Sequence, residues 1–153
     1  MLKIVLIVAG VSVVGWALTM ILFSVLAKKP DSLGVKDGRL TACPSSPNCV
    51  GSADEDTAHA IEALTFTDDP DEAWRRLEEV VAKHPRTQVI TNQNGYLHAE
   101  CKSFLFRFVD DLEFLLDREG KKIDVRSASR AGRGDLGVNR ARVEALRAAF
   151  GGP

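Results

Sequence analysis

The chain carries little of what most enzymes show in their sequence. It holds three cysteines and three histidines in 153 residues, and His59, His84 and Cys101 stand at no paired metal-ligand spacing. No P-loop or dinucleotide fingerprint is present, and Gly132-Arg133-Gly134 shares only its glycines with a phosphate loop. Ser127 and Ser129 have no recognisable base for nucleophilic catalysis. Charge of one sign is missing too: 20 basic and 21 acidic residues leave a net charge of −1. The basic residues are not interleaved with aromatics as a strand-binding groove requires, so no nucleic-acid partner is expected. These absences imply no metal and no cofactor, and they lean away from an enzyme without excluding one.

Charge is also absent from one long stretch. After a flank of residues 1–3, residues 4–27 form an uncharged apolar run that as a helix reaches about 36 Å, enough to cross a hydrocarbon core of about 30 Å. A signal peptide is the competing reading, since Val25-Leu26-Ala27 offers the small residues of a cleavage site. The length favours a retained signal anchor, because cleavable apolar regions are usually about 7–15 residues. The lipid bilayer is therefore the expected partner of residues 4–27. Small residues at Gly10, Ser12, Gly15 and Ala17 would let a neighbouring membrane helix approach closely. The flanks conflict: Lys3 stands before the run and Lys28, Lys29, Lys36 and Arg39 after it, which by the positive-inside rule puts the domain in the cytoplasm.

Cys43 and Cys49 bracket Pro44-Ser45-Ser46-Pro47-Asn48, whose prolines and Asn turn the chain back on itself. This favours a Cys43–Cys49 disulfide over two free thiols or a metal site. A disulfide belongs to an oxidising compartment and so argues for a periplasmic domain, which outweighs the lysine count because it concerns the domain itself. Cys101 is expected as a small core residue. Residues 28–56 read as a loop-rich connector, part of which packs on the domain.

Residues 57–153 read as one α+β domain. A weakly alternating segment, 58–66, is expected as an edge strand. Asp69-Pro70-Asp71-Glu72 is a helix start with a capping Asp and Pro in the first turn, and the helix runs to about His84 with Trp74, Leu77 and Val81 on its apolar stripe. Period two then sets in: strands over 87–91 and 96–103 flank an Asn94-Gly95 hairpin turn, with further strands over 107–117 and 122–129. Phe104, Phe106, Phe108, Leu112, Phe114 and Leu116 would share a face of the third strand were it continuous. Asp110 falls on that face, so a bend or bulge is expected there. Asp135 is placed to cap a last helix with Val138, Val143, Leu146 and Phe150 along one side, ended by Gly151-Gly152-Pro153. The order strand, helix, four antiparallel strands, helix puts both helices on one sheet face, compatible with a helix-grip or TATA-binding-protein-like topology.

Two polar clusters are the candidate binding residues: Asp110, Asp111 and Glu113 in the third strand, and Arg126, Ser127, Ser129 and Arg130 leading to Asp135, Asn139 and Arg140. Paired across the ladder, the acids and arginines would neutralise one another as a structural network; an arginine left over would bind an anion. Residues 33–50 (LGVKDGRLTACPSSPNCV), 108–114 (FVDDLEF) and 126–147 (RSASRAGRGDLGVNRARVEALR) together resemble the domain-of-unknown-function family 1499. The resemblance implies an exported or membrane-attached protein with no assigned activity. It singles out Cys43, Pro44, Pro47, Asn48, Cys49, Gly137 and the ten candidates above. The chain departs from the family at Gly51, where serine is common, and at Arg133. The expected function is a membrane-anchored periplasmic binding or accessory domain serving a membrane-protein partner; the alternative is a small-molecule or lipid-binding domain, possibly a hydrolase.

Overall fold

The structure, a computed structural model, describes residues 1–151. Gly152 and Pro153, read above as part of the final stop, lie outside the described residues. Helix α1 (Leu2–Leu26) is long and apolar enough to cross a membrane and is exposed along nearly all its length. Its hydroxyls bond within the helix, Ser12 Oγ donating to the Val8 carbonyl and Thr19 Oγ1 to that of Gly15, both at 2.9 Å. Both hydroxyls are thus satisfied within the helix itself. Ala17, Met20 and Ser24, at helical spacing, are the least exposed positions of the helix.

A small hairpin follows, β1 (Val35–Lys36) and β2 (Arg39–Leu40), closed by Asp37 and Gly38, which both take positive φ as a tight primed turn requires. The stretch read as a connector also supplies β3 (Cys49–Gly51) to the main sheet, and Cys43 is joined to Cys49 by a disulfide. Gly51 packs against Asp54, whose carboxylate accepts from the Cys43 amide at 3.0 Å. A Cβ at Gly51 would meet Asp54 Oδ2, so a larger residue there requires that side chain to swing aside.

The edge strand expected over 58–66 is reduced to β4 (Leu64–Thr65) and a single bridge from Ala60 to Gly51. Its alternation was imperfect, and Ile61 and Phe66 reach the core from irregular backbone instead. Helix α2 (Pro70–Lys83) starts as expected, Asp69 accepting from the amides of Asp71 and Glu72. Strands β5 (Thr87–Gln93), β6 (Tyr96–Lys102), β7 (Val109–Asp117) and β8 (Lys122–Ser129) follow, then α3 (Val138–Phe150). The sheet is antiparallel in the order β3-β8-β7-β6-β5, with β4 also on β8. Ala73, Leu77 and Val81 of α2 and Val143, Leu146 and Phe150 of α3 close over Leu97, Ala99, Cys101, Leu112, Phe114, Ile123 and Val125, so both helices cover one face.

Three expectations fail in this region. β7 runs without a bulge against either neighbour; Asp110 does lie on the apolar face and is accommodated by an arginine from α3. The irregularity falls in β5, between Val89 and Thr91. Phe104, Phe106 and Phe108 belong to the loop before β7 and share no strand face with Phe114. Val138 is 49% exposed: it is the first residue of the helix, directly after a left-handed Gly137, and the first turn brings Asn139 rather than Val138 to the sheet.

Candidate functional site

Strand alternation decides what each polar residue meets. On the face away from the helices, β6 presents Tyr96, His98 and Glu100, β7 presents Asp111 and Glu113, and β8 presents Arg126, with Arg130 just beyond it. Glu113 lies directly opposite Arg126 in the register and accepts from its guanidinium at 2.8 Å. Its other oxygen accepts from the Tyr96 hydroxyl at 2.8 Å and the Gly34 amide at 2.7 Å, which pins the segment after α1 over the sheet. Asp111 receives two bonds from Arg130, at 2.8 and 2.7 Å, and a third contact from His98 Nε2 at 2.7 Å. Arg130 also reaches Glu100. His98, Asp111, Glu113 and Arg126 are all 3% exposed or less.

Burial by itself would raise the Asp111 carboxyl, but the bonds from Arg130 and His98 outweigh it and hold the group below the ordinary carboxylate value. The Arg130 guanidinium is held even more firmly protonated by Asp111, against its own burial and with help from Glu100. Tyr96 is pushed up, first by burial and then by the neighbouring Glu113 charge, so its hydroxyl stays a donor. Both groups, that around Glu113 and that around Asp111, are held by charge-assisted bonds. Among its buried polar atoms, Arg126 Nε lacks a partner.

The helix-side face carries a second network. Arg142 of α3 binds Asp110 and also donates to Ser127 Oγ at 3.0 Å and Asn139 Oδ1 at 2.6 Å. Ser127 Oγ donates to Asn139 Oδ1 at 2.6 Å. The Asn139 amide reaches the Asn48 carbonyl, Ser129 Oγ and Asp135 Oδ2 at 2.9–3.0 Å. Asp135 accepts backbone amides from Gly137 and Asn139, so it braces the start of α3 from two residues before the cap; burial would raise its carboxyl and these bonds lower it further. Asn48 in turn donates to the Gly132 carbonyl at 2.8 Å, tying the disulfide loop to the basic loop after β8.

The ten candidates are therefore not one site. Asp111, Glu113, Arg126 and Arg130 meet on one face, and Asp110, Ser127, Ser129, Asp135 and Asn139 on the other. Arg140 joins neither and donates to the Ala58 carbonyl near the surface at 3.2 Å. Neither serine has a base beside it: Ser127 bonds Asn139 and Arg142, and Ser129 bonds Asn139. The sequence reading missed Tyr96, His98, Glu100 and Arg142. The first three were legible, since they alternate with Leu97, Ala99 and Cys101 and so had to face Asp111 and Glu113. Arg142 sits one helical turn beyond Asn139 and carried a weaker signal. A cleft of about 650 Å³ opens beside the β1–β2 hairpin, lined among others by Leu40, Ser52, Leu115 and Asp124, and none of the ten lines it.

The sequence model of a family described as "Protein of unknown function (DUF1499)" matches residues 39–150. No curated protein and no solved structure matches the chain.

Proposed function

The chain belongs to the DUF1499 family, and on that premise we propose that it is a membrane-anchored, extracytoplasmic domain that binds a protein partner as an accessory or assembly subunit of a membrane complex. Helix α1 supplies the anchor, and the Cys43–Cys49 disulfide supports the oxidising side.

The observation that carries a binding role is the free edge at β5. This strand ends the sheet, has no charged side chain along Thr87–Gln93, and leaves Val89 and Ile90 40% and 42% exposed. Edge strands are usually guarded by charge, proline or a covering element; among the described residues no strand pairs with the outer edge of β5, and the strand itself offers the irregularity between Val89 and Thr91 as its guard. Such an edge suits a partner that adds a strand of its own.

The alternative, a small-molecule or lipid-binding domain of which a hydrolase is one form, needs a free polar group at a cavity mouth. Arg130 and Asp110 are paired within the chain, and the space between sheet and helices is filled by side chains, both of which weigh against it. The helix-grip or TATA-binding-protein-like comparison remains one of layout, two helices across one sheet face, and carries no function with it.

Extraction of the full chain in mild detergent should yield a stoichiometric partner that Val89→Lys and Ile90→Lys together release while the fold persists. Recovery of the bare monomer alone would sink the proposal.

A further inference from the structure

We infer that the loop between β6 and β7, residues 103–108, is a second membrane-contacting element that enters the bilayer beside α1. The inference rests on the reading of α1 as a membrane anchor and adds to it a surface of the folded domain.

The loop is a closed finger. Its neck is fastened by the Ser103 amide donating to the Phe108 carbonyl and the Phe108 amide donating to Ser103 Oγ, both at 2.9 Å. Its tip reads Phe104-Leu105-Phe106, and Phe104 and Leu105 are 81% and 68% exposed. Two bulky apolar side chains projecting side by side from a fastened loop are costly to leave in water.

What covers the tip follows from where it lies. Phe106 packs edge-on against Trp16 with ring centroids 5.2 Å apart, and Phe108 meets Phe23 at 6.4 Å. Along a helix rising about 1.5 Å per residue, Trp16 stands about 15 Å before Leu26, and Phe23 about 5 Å before it. A group touching Trp16 shares its depth. If α1 spans a core of about 30 Å, the loop descends from the interface at Phe108 toward the interior at Phe106, and the tip meets acyl chains.

Charge around the loop fits the same occupant. Lys102 and Arg107 flank the tip, Arg86 stacks over Phe104 at 5.9 Å, and Lys28 and Lys29 follow α1. No acidic residue interrupts residues 102–108. A basic rim about an apolar tip matches anionic headgroups above hydrocarbon, and Arg107, whose side chain is long and exposed, can extend its guanidinium back to that layer. A protein groove of unknown shape explains the aromatic contact with α1 less directly, because that contact is with the anchor.

The test uses the full chain in vesicles of phosphatidylcholine with phosphatidylglycerol, with and without acyl-chain-brominated lipid. One variant, Trp74→Phe, keeps Trp16 as the sole indole and reports the anchor. A second, Trp16→Phe with Trp74→Phe and Phe104→Trp, reports the loop; a third carries Leu105→Trp in place of Phe104→Trp. Trp16, Phe104 and Leu105 are exposed, and Trp74, which packs partly buried against the core, is replaced by another aromatic, so the fold is retained. Loss of emission at 16 and at 104 or 105 on adding brominated lipid is the expected result. Loss at 16 without loss at 104 and 105 overturns the loop inference and leaves the anchor standing. No loss at any position overturns the anchor and the loop inference together.

Discussion

Glu113 and Arg126 face each other directly across the β7–β8 ladder and are joined by a 2.8 Å salt bridge at 0% and 3% exposure. Bringing two such charges out of water is unfavourable unless each is bonded on its remaining sides, and Glu113 meets that condition through Tyr96 and Gly34. Arg126→Met leaves a buried carboxylate without its cation and is expected to cost about 3–5 kcal/mol, read by chemical denaturation of the full chain in detergent. Glu113→Leu combined with Arg126→Met should recover part of that loss, and only part, since the Tyr96 hydroxyl and Gly34 amide then lose their acceptor. A single variant no less stable than the wild type would show that the pair is not structural.

Asn139 holds α3, the disulfide loop and the end of β8 together through one side chain. Asn139→Leu should destabilise by about 1–3 kcal/mol for each buried polar group it leaves unsatisfied, with the loss concentrated locally. Hydrogen exchange provides the readout: amides of residues 45–49 and 129–137 should exchange faster in the variant while those of β6 keep their protection.

The Cys43–Cys49 bridge closes a short loop with a sequence separation of 6. Chain-entropy reasoning puts its contribution at about 2 kcal/mol, so Cys43→Ser with Cys49→Ser should lower the denaturation midpoint by a corresponding amount. In the native wild type, alkylation without reductant should label neither residue, and Cys101 should react only on unfolding, since it is buried and its thiol is pushed up by that burial. Labelling of Cys43 before reduction counts against the bridge and weakens the extracytoplasmic assignment.

The pH dependence of stability carries the sign of Asp111. Its folded value lies below its ordinary 3.8, so its stabilising contribution is complete above 3.8 and drains away as pH falls from there through the folded value. Asp111→Asn should therefore be less stable than wild type at neutral pH, and the gap between the two should narrow on acidification below 3.8. Midpoints that stay parallel across that range would remove Asp111 from the acid response.

Much of this organisation could be read along the chain because it is local. The Asp69-Pro70 start of α2 depends on contacts within one turn, and the Asn94-Gly95 turn depends on φ values few other residues adopt. The Cys43–Cys49 loop is closed by its own prolines, and the alternation in β6 and β8 names their buried faces. Pairing of acids with arginines across the ladder followed once β7 and β8 were adjacent. The division of the candidates did not follow so simply, because consecutive residues such as Asp110 and Asp111 point to opposite faces and were read as one cluster.

The sequence by itself determined an apolar span, an α+β domain with an antiparallel sheet, and a set of acids and arginines able to neutralise one another, since each depends on residue type and short-range periodicity. Tertiary structure alone decided that β3 and β4 from distant segments both pair with β8, that Asp110 turns to Arg142 while Asp111 turns to Arg130, and that the 103–108 finger lies against Trp16 and Phe23. Those outcomes are contacts between positions far apart in the chain, and the order in which strands assemble sets which charges are sealed from water and which apolar side chains are left facing out.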